Sequence, residues 1–194
     1  MKRSQILTLL NKIRSEQLVE IYRRDAEDDF SVGYIIHFDF SYIEFISVDD
    51  EGKKNGINII SLASVSEIIT DTKYLQRVAI AQKIAEIKNY SNPFNVDTAI
   101  DVKGKNILLS GIEKSINEDK VVLLSTITSD EMILGKIAST TSTALNIEQF
   151  VDDDFNHSVR KTIFLNTIDI FEFDSFETLI IEYYLDNQDS FKTF

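Results

Sequence analysis

Acid–base or nucleophilic chemistry near neutral pH calls first on histidine, and this chain has two, His37 and His157. His37 lies in SVGYIIHFDFSYIEFISVDD (31–50), two residues before Asp39; His157 follows the acidic run VDDDF. A metal centre would need two or three further nitrogen or carboxylate ligands at workable spacing, and neither histidine stands in an HExxH or HxH pattern. No serine occupies a GxSxG elbow that could receive a histidine. Phosphate-cradling glycine loops are absent, with no GxxxxGK[ST] and no GxGxxG. The chain has no cysteine, so disulfides and thiolate metal sites are excluded. Three acidic clusters remain: Asp25/Glu27/Asp28/Asp29, Asp49/Asp50/Glu51 and Asp152/Asp153/Asp154. They lack the alternating oxygen ligands, turn glycine and distal Glu of a calcium loop and read as solvated turns. The expectation is a protein without a catalytic constellation, metal or cofactor.

Charge narrows the partners. The formal net charge is −12, with 12 Lys/Arg against 14 Asp/Glu in residues 1–90 and 8 against 18 in residues 91–194. Nucleic-acid affinity rests mainly on neutralising phosphates, and a field this negative opposes it. The exception is the first 24 residues, where Lys2, Arg3, Lys12, Arg14, Arg23 and Arg24 stand against Glu16 and Glu20. That basic end could contact something acidic; a solvated helix face is the simpler reading. No apolar run approaches the roughly 20 residues of a membrane helix. The start, MKRSQILTLLNKIRSEQ, lacks a continuous apolar core and a small-residue cleavage site, so the cytoplasm is the expected location.

The elements that must carry any site recur along the chain. QILTLLNKIRSEQLVEIYRR (5–24) aligns with ILLSGIEKSINEDKVVLLST (107–126) at an offset of 102. SVGYI (31–35) then meets ILGKI (133–137), setting Gly33 on Gly135. After one inserted residue, IISLASVSEI (59–68) meets TIFLNTIDIF (162–171). Each copy opens with a short amphipathic helix and continues with five strands rich in β-branched and aromatic residues. Gly52 and Gly56 in EGKKNG supply the positive φ that tight loops need. Between the copies, TKYLQRVAIAQKIAEIKNY (72–90) has helical spacing, and the only proline, Pro93, follows it. FETLIIEYYLDNQDSF closes the second copy as a trailing helix, although TLIIEYY is also β-prone.

A leading helix followed by five bent strands resembles the Sm-like small-barrel family. Its first motif matches Gly33, Ile35, Phe38, Asp39, Tyr42 and Ile46, with Ile43 where the family has Asn. In copy two the same places hold Gly135, Ile137, Thr140, Thr141, Ala144, Leu145 and Glu148. The family's basic turn before the last strand is replaced by LASVS or LNTID. The resemblance implies a fold more than an activity, since the RNA pocket of the family uses the Asn and the basic turn that are missing here. It predicts a mainly β chain with flanking helices (α+β): two tandem five-stranded small barrels, each with an N-terminal helix, joined by a helical linker. The boundaries are 1–72, 73–100 and 101–194, and the tandem copies could pair edge to edge within the chain.

Within the opening stretch, Val32, Tyr34, Ile36, Phe38 and Phe40 are expected on one face and Ile35, His37 and Asp39 on the other. Most aromatics are expected in the core. Tyr42 at the strand bend and Tyr183 and Tyr184 near the acidic tail are the ones expected at the surface, and with Asp39 they mark the candidate contact surface. The function expected is a non-catalytic interaction or regulatory module, with a protein partner or self-association. A degenerate nucleic-acid binder and an acidic mimic of nucleic acid are the alternatives.

Overall fold

The leading segment of each half forms a helix because apolar residues recur there at helical spacing, and the strands follow wherever β-branched residues dominate. The computed structural model describes residues 2–24, 30–96, 100–102, 106–152, 155 and 157–191. The acidic run Asp25/Glu27/Asp28/Asp29, and Asp153 and Asp154, lie outside the described residues. The first half contains α1 (Arg3–Leu10), β1 (Leu18–Arg23), β2 (Phe30–Phe38), β3 (Tyr42–Val48), β4 (Lys54–Ser61) and β5 (Val65–Ile69). The helix α2 (Lys73–Ile87) leads away from it. The second half contains α3 (Ile107–Asn117), β6 (Val121–Thr126), β7 (Ser129–Thr140), β8 (Ala144–Phe150), β9 (Ser158–Phe164) and β10 (Ile168–Phe173), and ends in α4 (Phe176–Asp186) and the short α5 (Gln188–Phe191). The β-prone TLIIEYY is helical because Ser175 caps it: its side chain accepts from the Thr178 N–H.

The expectation of two separate five-stranded barrels is overturned. All ten strands form one open antiparallel sheet in the order β5-β1-β2-β3-β4-β10-β6-β7-β8-β9. β4 pairs not with β5 of its own half but with β10, setting Ile57 opposite Phe173 and Ile60 opposite Ile170. The cause is the chemistry of the seam. Tyr42, Ile46, Ile57 and Ile59 of the first half share a core with Ile107, Leu108, Ile112, Phe171 and Phe173 of the second. Two separate units would leave that apolar surface in water, at about 25 cal/mol for each Å². α3 lies on the seam, and a side chain at its Gly111 would meet Ile59 Cδ1 at 2.3 Å. A second core, under α1, joins Ile6 and Leu10 to Val19, Ile21, Phe45, Leu62 and Val65.

Strand registers in the two halves correspond at several positions. Gly33 faces Ser47 and Gly135 faces Gln149, and the bulge at 35/37 recurs at 137/139, each 102 residues on. β1 with β5 pairs Ile21 to Ile68 and β6 with β10 pairs Leu124 to Phe171, each 103 residues on. A Cβ on Gly33 would lie 2.0 Å from the Ile46 carbonyl oxygen, and one on Gly135 would lie 2.2 Å from that of Glu148. Neighbouring strands approach so closely there that no side chain fits.

The same comparison explains why the sheet stops. The partners of the seam residues Tyr42, Ile46, Ile57 and Ile59 in the second half's register are Ala144, Glu148, Arg160 and Thr162. On β9 the apolar seam has become a polar edge, with Arg160 paired to Glu148 and Lys161 to Glu131. Charged edge strands resist further pairing. The bulge also corrects the expected alternation in β2. Ile35 and Phe38 both pack into the core under α1, because the extra residue at Ile36 swaps the faces, and Phe40 is exposed.

Candidate functional site

Of the residues expected to form a contact surface, Asp39 and Tyr42 turn out to be architecture. One carboxylate oxygen of Asp39 accepts from the Ser41 and Tyr42 N–H groups at 2.6 and 2.8 Å. The other accepts from Ile107 N at 3.1 Å, the start of α3. Asp39 thus ties a turn of the first half to a helix of the second. Tyr42 is buried rather than exposed, and its hydroxyl donates to the Leu165 carbonyl at 3.1 Å across the seam. Burial, then the carboxylates of Asp39 and Asp169, push its phenol up to about 12. Beside these residues the seam opens into a cleft lined by Arg3, Ser41, Ser61, Asn106, Ser142 and Asn166.

His37 is likewise structural. Its Nδ1 lies 2.7 Å from Glu44 Oε2, while Glu44 Oε1, fully buried, accepts from Ile100 N at 2.7 Å. A buried carboxylate is tolerable only with such partners. His157 pairs with Asp152 in an exposed turn. No group of three or more His, Asp or Glu side chains could hold a metal among the described residues.

Part of the basic end is engaged within the fold. Arg23 pairs with buried Asp169 at 3.5 Å, Arg24 donates from Nε to the Val65 carbonyl at 3.3 Å, and Arg14 lies 3.8 Å from Glu16. Lys2 and Arg3 start α1, and Lys12 lies just beyond its end. Four carboxylates of the second half stand in ion pairs: Asp119 with Lys136, Glu131 with Lys161, Glu148 with Arg160 and Asp174 with Lys120.

Tyr183 and Tyr184 lead to a different kind of surface. Tyr183 is 64% exposed, and with Phe176 and Ile180 it forms an i, i+4, i+7 stripe on the outer face of α4. Phe94 lies against Phe176 with ring centroids 5.6 Å apart, and Tyr184 against Phe155 at 5.9 Å. Phe94, Leu179 and Tyr184 complete an apolar cleft along the helix. Asp49, Asp50 and Glu51 border Phe94 and Phe176 on one side. The inner face of α4 is fixed by Thr178 and Ile181, which are buried, and by Glu182, which accepts from Val121 N at 2.7 Å. Burial raises the Glu182 carboxyl above its usual range against the pull of that bond and of Lys120.

A second exposed stripe was missed. In α2 the spacing of Leu75, Val78, Ile80, Ala81, Ile84 and Ile87 reads as one amphipathic helix. The structure buries Leu75, Val78 and Ala85 and leaves Ile80, Ile84 and Ile87 in water. The signal was present in the sequence, since Ile80, Ile84 and Ile87 make their own i, i+4, i+7 row on the face away from Val78. Thr72 fixes the helix start, accepting from Leu75 N and donating to buried Glu20.

Comparison of the chain with protein-family models, with curated proteins and with solved structures returned no match. No helix among the described residues is long and apolar enough to cross a membrane.

Proposed function

We propose that the chain is a non-catalytic interaction module whose contact surface is the outer face of its trailing helices. The observation that carries this reading is the exposed stripe Phe176, Ile180 and Tyr183 on α4, continued by Phe94. Contiguous apolar surface of this kind on a folded protein marks an interaction site more often than chance exposure. The two halves are read as copies of one helix-plus-five-strand unit of the Sm-like kind, opened into a shared sheet; the repeated registers support this. The engagement of Arg23 and Arg24 and the pairing of four second-half carboxylates weigh against the nucleic-acid and mimicry readings.

The test places a photo-reactive amino acid at Tyr183 and, as a control, at exposed Lys12, in cells that produce the protein. Adducts to protein are expected from position 183 and not from position 12; equal labelling, or none at 183, would sink the reading. Absorbance of gently purified protein decides on nucleic acid, because seven Tyr and no Trp leave its own 280 nm band weak. A 260 nm peak that high salt removes would overturn the protein-contact reading.

A further inference from the structure

Six of the thirteen most exposed large apolar side chains among the described residues sit on α2 and α4: Ile80, Ile84, Ile87, Phe176, Ile180 and Tyr183. Both triplets follow i, i+4, i+7 spacing, so each stripe runs about 10 Å along its helix. The charges around them are opposite. α2 exposes Lys73, Arg77 and Lys83 against Glu86 alone, and Lys88 caps its end. α4 has no Lys or Arg and exposes Glu177 and Asp186; the loop beside it carries Asp49, Asp50 and Glu51 but also Lys53, which pairs with Glu51, and Asp50 accepts from the Tyr74 hydroxyl of α2. One helix is basic and apolar, the other acidic and apolar, and their apolar rows share one spacing.

The two helices also flank the same loop. Gly52 lies against Ala81 and Gln82 of α2, while Asp49, Asp50 and Glu51 line the cleft that reaches Phe176 of α4. A two-fold axis requires a self-complementary patch, in which each copy offers what the other receives. Two unlike, complementary helices near one loop meet that requirement, whereas α4 against α4 would oppose like charges.

We infer that the partner of this surface is a second copy of the chain, in a two-fold dimer that packs α2 of each copy on α4 of the other. The inference rests on the reading of the helical face as the contact surface, and names its occupant. The apolar rows supply the attraction, and the charges choose the pairing and make it sensitive to salt.

Sedimentation of the full chain from about 1 to 100 μM, a range that reads micromolar dissociation constants, tests this with two variants. Ile84→Asp disables α2 and Ile180→Asp disables α4. Both sites are solvent-exposed, so the circular dichroism spectrum of each variant should stay that of the parent. The parent should dimerise, each variant alone should lose at least tenfold in dimer affinity, and the equimolar mixture should recover a dimer. Recovery follows because one intact α2 then meets one intact α4. A parent that stays monomeric at 100 μM overturns the inference while leaving the Tyr183 labelling test to judge the surface. An Ile84→Asp chain that dimerises as well as the parent would assign the contact to α4 alone and overturn it too.

Discussion

Replacing Gly33 or Gly135 with alanine asks whether the repeated register has energetic meaning. A Cβ on Gly33 would stand 2.0 Å from the Ile46 carbonyl oxygen, and on Gly135 2.2 Å from that of Glu148. An ordinary carbon–oxygen contact is about 3.3 Å, so the facing strand must yield by about 1 Å. The obstacle is backbone held in a ladder on both sides, which puts the cost near the top of the overpacking range, about 3 kcal/mol. Alanine also restricts the unfolded chain, which returns roughly 0.5–1 kcal/mol. The net loss is about 2 kcal/mol, and for a chain of this size it should lower Tm by roughly 4–8 °C. Urea titration should show a lower midpoint at unchanged slope. Gly33→Ala and Gly135→Ala should fall within about 1 kcal/mol of each other, since the same strand geometry carries both. A Tm within about 2 °C of the parent for either variant would refute the close approach. A loss at one site alone would show that the shared register does not carry the same packing in both halves.

Other consequences follow from the seam and from buried acids. Tyr42→Phe removes the hydroxyl that reaches Leu165 across the seam and strands a buried carbonyl, which should cost about 1–2 kcal/mol in urea titration. Burial raises the Glu172 carboxyl above its usual range, with the nearby Glu177 charge adding to the rise and Ser175 opposing it. The folded chain therefore holds that proton more tightly than the unfolded one. The group's favourable contribution is complete below the unfolded value near 4.3 and is lost as pH rises through the folded value. Glu172→Gln should accordingly be more stable than the parent at pH 7, with the difference in Tm fading towards pH 4. A constant difference across that range would contradict it.

Much of the molecule is legible in residue order. Helical spacing marked the leading helices and α2, Pro93 marked the end of the segment after α2, and Gly52 stands at φ 79° in its turn, whereas Gly56, at 99°, lies inside β4. The recurrence of Gly33 at Gly135 pointed to one strand geometry used twice. Tyr183 was marked as a surface residue from its place near the acidic tail.

What sequence pattern could not decide is where each buried face finds its cover. Alternating apolar residues in β4 look the same whether the strand closes on β5 or opens onto β10; which edge it meets depends on side chains more than a hundred residues away. Tyr42 belongs with this class, since nothing local says that Leu165 will lie over it. α2 shows the complementary limit. It carries two apolar rows, and only the position of the sheet decides that Val78 is covered and Ile84 is left to water. The order of residues set the strands, turns and helices because those depend on near neighbours. The open ten-stranded sheet and its apolar seam came from contacts distant in the chain, where burial of one face against another outweighs local preference.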